Sequence, residues 1–195
     1  HLSLRRQRQM CIRDSSKVDT FLALSGVINS KLRAVDKAVA LIASFADQNT
    51  VSQPTPSGKY QGTAPTAQTY LDVGVSGPVT DKETQAFNDA LATSQVTYSL
   101  VDSAQEIKDL AAAYRAVLNL ADDAKNTGGS KPTALQYHLI GVTGFDPTDV
   151  VAATDSANRA SLLGDVIDRK VTDDVNTVLE IQALANSVAQ VMNMA

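Results

Sequence analysis

The stretch "VDSAQEIKDLAAAYRAVLNLA" (Val101–Ala121) returns as "VNTVLEIQALANSVAQVMNMA" (Val175–Ala195), 74 positions on, with eight of twenty-one residues identical. Each copy opens on a capping-box pattern, Ser103-Ala-Gln-Glu106 and Thr177-Val-Leu-Glu180. In such a box the hydroxyl and the carboxylate each accept a backbone N–H that the first helical turn leaves unpaired. Behind the box, Ile107, Leu110, Ala111, Tyr114, Val117, Leu118 and Ala121 fall at helical spacing, and Ile181, Leu184, Ala185, Val188, Val191, Met192 and Ala195 do the same. A cap followed by an apolar period near 3.6 predicts one amphipathic helix per copy.

A second block repeats in the same order. "PTAQTYLDVGVSG" (Pro65–Gly77) returns as "PTALQYHLIGVTG" (Pro132–Gly144) at an offset of 67, with seven of thirteen residues identical. The offset therefore grows by seven between the blocks, close to two α-helical turns, so an apolar stripe keeps its face. A strand would have its faces exchanged by an odd insertion. A partial third copy lies upstream, where Leu32, Val35, Val39, Ile42 and Phe45 take the places of Ile107, Leu110, Tyr114, Val117 and Leu120.

The expected architecture is all-α, built of tandem three-helix repeats. The first helix is expected over 65–73 and again over 132–140, with Thr63 or Ser130 as N-cap, Pro in the first turn, and Gly74 or Gly141 as the left-handed residue that ends it. The second helix follows the Gly-Val-Ser/Thr-Gly turn, capped by Thr80-Asp-Lys-Glu83 in one copy and by Asp146-Pro-Thr-Asp149 in the other. The capped stretches quoted first supply the third. The chain then divides into a tail over 1–15, the closing helix of a truncated repeat over 16–49, a linker over 50–64, a repeat over 65–123, a linker over 124–131, and a repeat over 132–195 truncated at its C-terminal edge. One repeat of about sixty residues buries only about 60% of its unfolded surface, which is marginal. Stacking on neighbours to share a core and sitting as separate beads on linkers are both open at this point.

Composition narrows the function classes. The 195 residues carry a formal charge of −4, but residues 1–15, "HLSLRRQRQMCIRDS", hold four Arg, one Asp and the only Cys. Met10–Ser15 resembles the translation of a transposon end used in sequencing libraries; a natural basic tail or a cropped targeting segment is the alternative. Taking those residues from 17 Lys+Arg and 21 Asp+Glu leaves 13 against 20, a charge of −7. An acidic, cysteine-free remainder lacks the basic footprint of a nucleic-acid binder and excludes a disulfide scaffold or cysteine zinc site. The apolar runs are too short for membrane insertion.

No candidate chemical site assembles from the residues. The histidines are His1 and His138, and a triad or metal centre needs two or three converging groups. Asp122-Asp123 and Asp173-Asp174 are sequence neighbours, which point apart and read as caps or solvated charge. Gly74/Gly77 and Gly141/Gly144 lack the Gly-Lys-Ser/Thr of a phosphate loop, so the recurrence points to turn geometry. Met192 and Met194 stand where Leu118 and Leu120 stand in the earlier copy and are expected as core filler. No catalytic, cofactor-binding or metal residue is therefore expected, and no cofactor.

Gly141-Val-Thr-Gly144 and "NTVLEIQALANSVAQVMNMA" (Asn176–Ala195) resemble an Ala/Val/Asp-rich helical repeat of very large bacterial surface proteins. Those proteins are adhesin-like and often exported by type I secretion. The resemblance covers most of 65–195 and carries over no catalytic residue. It implies an extracellular, non-enzymatic spacer or interaction repeat, a fragment of a larger protein, whose partners are neighbouring repeats and an unknown protein or surface ligand. The alternative is a three-helix binding module for a host or matrix protein, which predicts one apolar surface patch recurring in both repeats.

Overall fold

Capping side chains set where the helices begin. In the computed structural model, which describes residues 2–51, 63–121, 130–146 and 155–194 (side chains over 23–47 in the first stretch), seven α-helices follow one another without a strand among the described residues. They are α1 (Leu2–Val51), α2 (Ala67–Val73), α3 (Asp81–Leu91), α4 (Ala104–Leu120), α5 (Ala134–Leu139), α6 (Asp155–Ile167) and α7 (Val178–Met192). The chain is all-α. Helix α1 runs unbroken through the composition break at residue 15. Most of the 50–64 and 124–131 segments lies outside the described residues, as do Asp122-Asp123 and the Pro147-Thr-Asp149 part of the expected second cap.

Five reciprocal capping boxes form among the described residues. Glu106 accepts the Ser103 N–H at 3.0 Å while Ser103 Oγ accepts the Glu106 N–H at 3.3 Å, and Thr177 with Glu180 repeats the arrangement at 3.1 and 3.3 Å. Thr80 and Glu83 form the box expected for α3. The expected caps of the short helices need correcting. Thr66 and Thr133, not Thr63 and Ser130, cap α2 and α5, so those helices start two residues later than 65 and 132, and each proline precedes the cap instead of sitting in the first turn. The reason is chemical: Thr66 pairs with Thr69 and Thr133 with Gln136, each satisfying two orphan N–H groups at once.

Gly74 and Gly141 end α2 and α5 at φ 98° and 91°, in the left-handed region that glycine enters without a Cβ penalty. Two 3-10 turns that the sequence pattern did not predict, Tyr98–Leu100 and Thr172–Asp174, lead into α4 and α7. Each drops a fully buried valine, Val101 or Val175, two residues before the cap. Burial of such a side chain contributes about 1.5–3 kcal/mol, so these turns anchor the entry to the long helices.

One continuous apolar core runs from Ala38 on α1 to Val188 on α7. Helix α1 packs on α2 and α3, α4 packs on α3 behind it and on α5 and α6 ahead of it, and α7 packs on α6. Tyr70, Phe87 and Tyr114 meet edge to face at centroid separations of 5.2 and 6.3 Å, joining α2, α3 and α4. The Tyr70 hydroxyl donates to Asn88 Oδ1 at 2.7 Å, and Asn88 Nδ2 donates to the Pro65 carbonyl at 2.9 Å, so the one buried amide in this region is satisfied on both sides.

Candidate functional site

The residues with chemical potential are dispersed. His138 is half-buried on α5, away from any grouping of metal-type ligands: no three His, Cys, Asp or Glu side chains converge among the described residues. Asp173 lies on its 3-10 turn and pairs with Lys82 at 2.7 Å, both side chains well exposed. Such an exposed pair is worth little. No helix among the described residues is long and apolar enough to cross a membrane.

The two glycine turns are held by side chains of neighbouring helices. Arg115 on α4 donates from Nη1 to the Ser76 carbonyl at 2.6 Å and from Nη2 to the Pro78 carbonyl at 3.0 Å, and its Nε donates to Glu83 at 2.6 Å. Burial alone would raise the Glu83 carboxyl, but the Thr80 N–H, the Arg115 guanidinium and the Thr80 hydroxyl outweigh it and hold the group below the usual carboxylate range. Around Gly144 the same task falls to other residues: Gln182 accepts the Thr143 N–H at 2.7 Å, and Arg159 donates to the Gly144 carbonyl at 2.8 Å. All four glycines have positive φ, which gives the repeated Gly-Val-x-Gly a conformational use.

Asp89 on α3 reaches further along the chain. Its Oδ2 accepts the backbone N–H of Val178, in the first turn of α7, at 2.6 Å. Burial pushes the Asp89 carboxyl up, the Val178 N–H pulls it back, and the Glu180 charge adds to the upward push. The group is a tie between α3 and α7, so its perturbation has a structural cause.

What remains is a surface. Matching α4 to α7 at the offset of 74, the row Ile107, Ala111, Tyr114 is buried, as is its counterpart Ile181, Ala185, Val188. A second row lies about a third of a turn away. On α4 this row, Leu110, Ala113, Val117 and Leu120, is wholly buried. On α7 its counterparts diverge: Leu184 is half-buried, Ser187 exposed, Val191 67% exposed and Met194 88% exposed. The core placement expected for Val191 and Met194 is thus overturned. Their apolar pattern is intact, but no described residue covers Val191 or Met194 on that side of α7; Met192, on the other row, stays partly buried against the core.

Beside this row, Leu162 and Val166 of α6 join Leu184, Val188 and Val191 of α7 to form an open, largely apolar groove of about 530 Å³. Arg169 and Lys170 stand at its rim. No family model, curated protein or solved structure matches this chain. The groove is thus known by its geometry and by its sequence relation to the covered face of α4. Sequence patterning found the residues that line its α7 side. It missed their exposure, because periodicity marks a face as apolar without saying what covers it.

Proposed function

We propose that the chain is a segment of a tandem helical array that works as a non-catalytic spacer and interaction repeat in a large, secreted, adhesin-like bacterial surface protein. Helices α2–α4 and α5–α7 are then successive three-helix units, with α1 the closing helix of a preceding one. The observation that carries this is the double burial of α4, whose two apolar rows are covered by helices on either side of it in the chain. A closing helix shared in this way couples neighbours into a stacked rod, as nearest-neighbour contacts do in solenoid proteins. The residues that recur are caps, turn glycines and core positions, which is what a load-spacing element needs and what an enzyme would not require. The extracellular setting rests on the resemblance of Gly141-Val-Thr-Gly144 and Asn176–Ala195 to repeats of that class.

The test is dimensional. Variants carrying one and two extra copies of the 122–195 segment are measured by small-angle scattering. A fixed increment in maximum dimension per copy is expected, and collapse to a sphere-like particle with no regular increment overturns the spacer role. The three-helix binding module is disfavoured by one feature: the apolar patch on α7 has a buried counterpart on α4, so that patch does not recur among the described residues.

A further inference from the structure

We infer that the α6–α7 groove is the docking site for the opening helix of one further unit, a short helix of the Pro-Thr-Ala-x-x-Tyr type seen at α2 and α5. This rests on the tandem-array reading and names the contact that would extend the array. Three sequence-matched helices carry the argument. On α1 the second row is Val35, Ala38, Ile42 and Phe45; its last three residues are buried, and α1 packs on α2 and α3. On α4 the same row is buried and the helix packs on α5 and α6. On α7 the row ends in exposed Val191 and Met194, alongside the open groove.

The complementary row is covered on α4 and open on α1 at its start, while Ala43 and Ala46 further along α1 are buried. Leu32 of α1 is 57% exposed where its counterparts Ile107 and Ile181 are buried. Among the described residues of these three helices, α4, with helices on both sides, has both rows covered along their length. The second row therefore loses solvent where its neighbour is present, and that neighbour begins with α2 in one case and α5 in the other.

A second copy of the chain is the poorer occupant. Its α2 is already packed on its own α1 and its α5 on its own α4, so it presents no uncovered opening helix. A further unit presents one by construction.

The experiment compares the full chain with a chain extended by a second copy of residues 122–195, each with and without Val191→Asp. Hydrogen exchange is followed at the amides of α7. Docking predicts that the Leu184–Val191 amides of the extended chain exchange about tenfold more slowly or better, since covering an apolar face raises the local opening free energy. Val191→Asp should abolish that gain while leaving the unextended chain's melting temperature unchanged. An appended copy that is helical but leaves α7 exchange unaltered overturns the docking site and spares the spacer reading. An appended copy that adds no helical signal overturns both. Self-association of the unextended chain that Val191→Asp removes makes a second copy the occupant and also overturns the inference.

Discussion

Gly141 meets two demands at once, and they separate it from its counterpart Gly74. Both have positive φ, but a Cβ at Gly74 would meet open space, whereas one at Gly141 would run into the Thr93 side chain at the end of α3. Thr93 has little room to yield, because its hydroxyl donates to the Ala90 carbonyl at 2.8 Å. Gly74→Ala should therefore cost roughly 1–2 kcal/mol from the left-handed backbone alone. Gly141→Ala should add an overpacking cost of about 1–3 kcal/mol to that, and chemical denaturation of the two variants side by side measures the difference. Asp89 makes the opposite kind of case, a half-buried charge with a backbone partner. Its folded-state pKa is raised, so the folded protein holds the proton more tightly than the unfolded chain does. Its contribution is then most favourable at or below the ordinary value of 3.8 and declines as pH rises from there through the raised folded pKa. Asp89→Asn keeps an oxygen for the Val178 N–H without the charge. A higher melting temperature than the parent at pH 7, with the gap closing as pH falls toward 4, is the expected result; a lower one at pH 7 would mean the carboxylate's bond to α7 outweighs its burial.

Individual helices divide into what the pattern specifies and what packing supplies. The boxes at Ser103–Glu106 and Thr177–Glu180 were legible because the motif is local and its partners are three residues apart. Glu106→Ala should cost about 0.5–2 kcal/mol, the usual range for losing a helix cap, and an unchanged melting temperature would mean that the box does not hold in solution. The caps of α2 and α5 were misplaced although Thr133-Ala-Leu-Gln136 is itself a Thr-x-x-Gln box. Proline in the first turn is a strong positional preference that points two residues upstream of the reciprocal pair, and the pair decides the start. The 3-10 turns before α4 and α7 had no local signal of their own, since what fixes them is the burial of Val101 and Val175 by other helices. For the same reason the apolar row of α7 was legible as a pattern and illegible as an exposed surface. Whether Val191 is core or surface depends on a neighbouring helix, which a periodicity within α7 does not encode.

At the scale of the whole molecule the position of α4 decides how the chain unfolds. With both apolar rows covered, α4 belongs to the core on either side, and the buried cluster has no break between Ala38 and Val188. A chain of independent beads and a chain with a common core then answer the same mutation differently. Val117 lies in the row of α4 whose counterpart on α7 is exposed, and it is itself fully buried. Val117→Asp places an unpaired charge there and should cost about 3–5 kcal/mol, as an uncompensated buried charge does. Val191→Asp, the matched change on α7, alters a surface position and should stay within about 0.5 kcal/mol. In the bead arrangement, loss of α4 would unfold residues 65–121 and leave the α6–α7 pair protected from hydrogen exchange. The continuous core predicts instead that protection falls together in α2, α3 and α6, because α6 loses the helix it packs on. Exchange that stays native-like in α6 while α2 and α3 open would show that α4 serves only the helices before it.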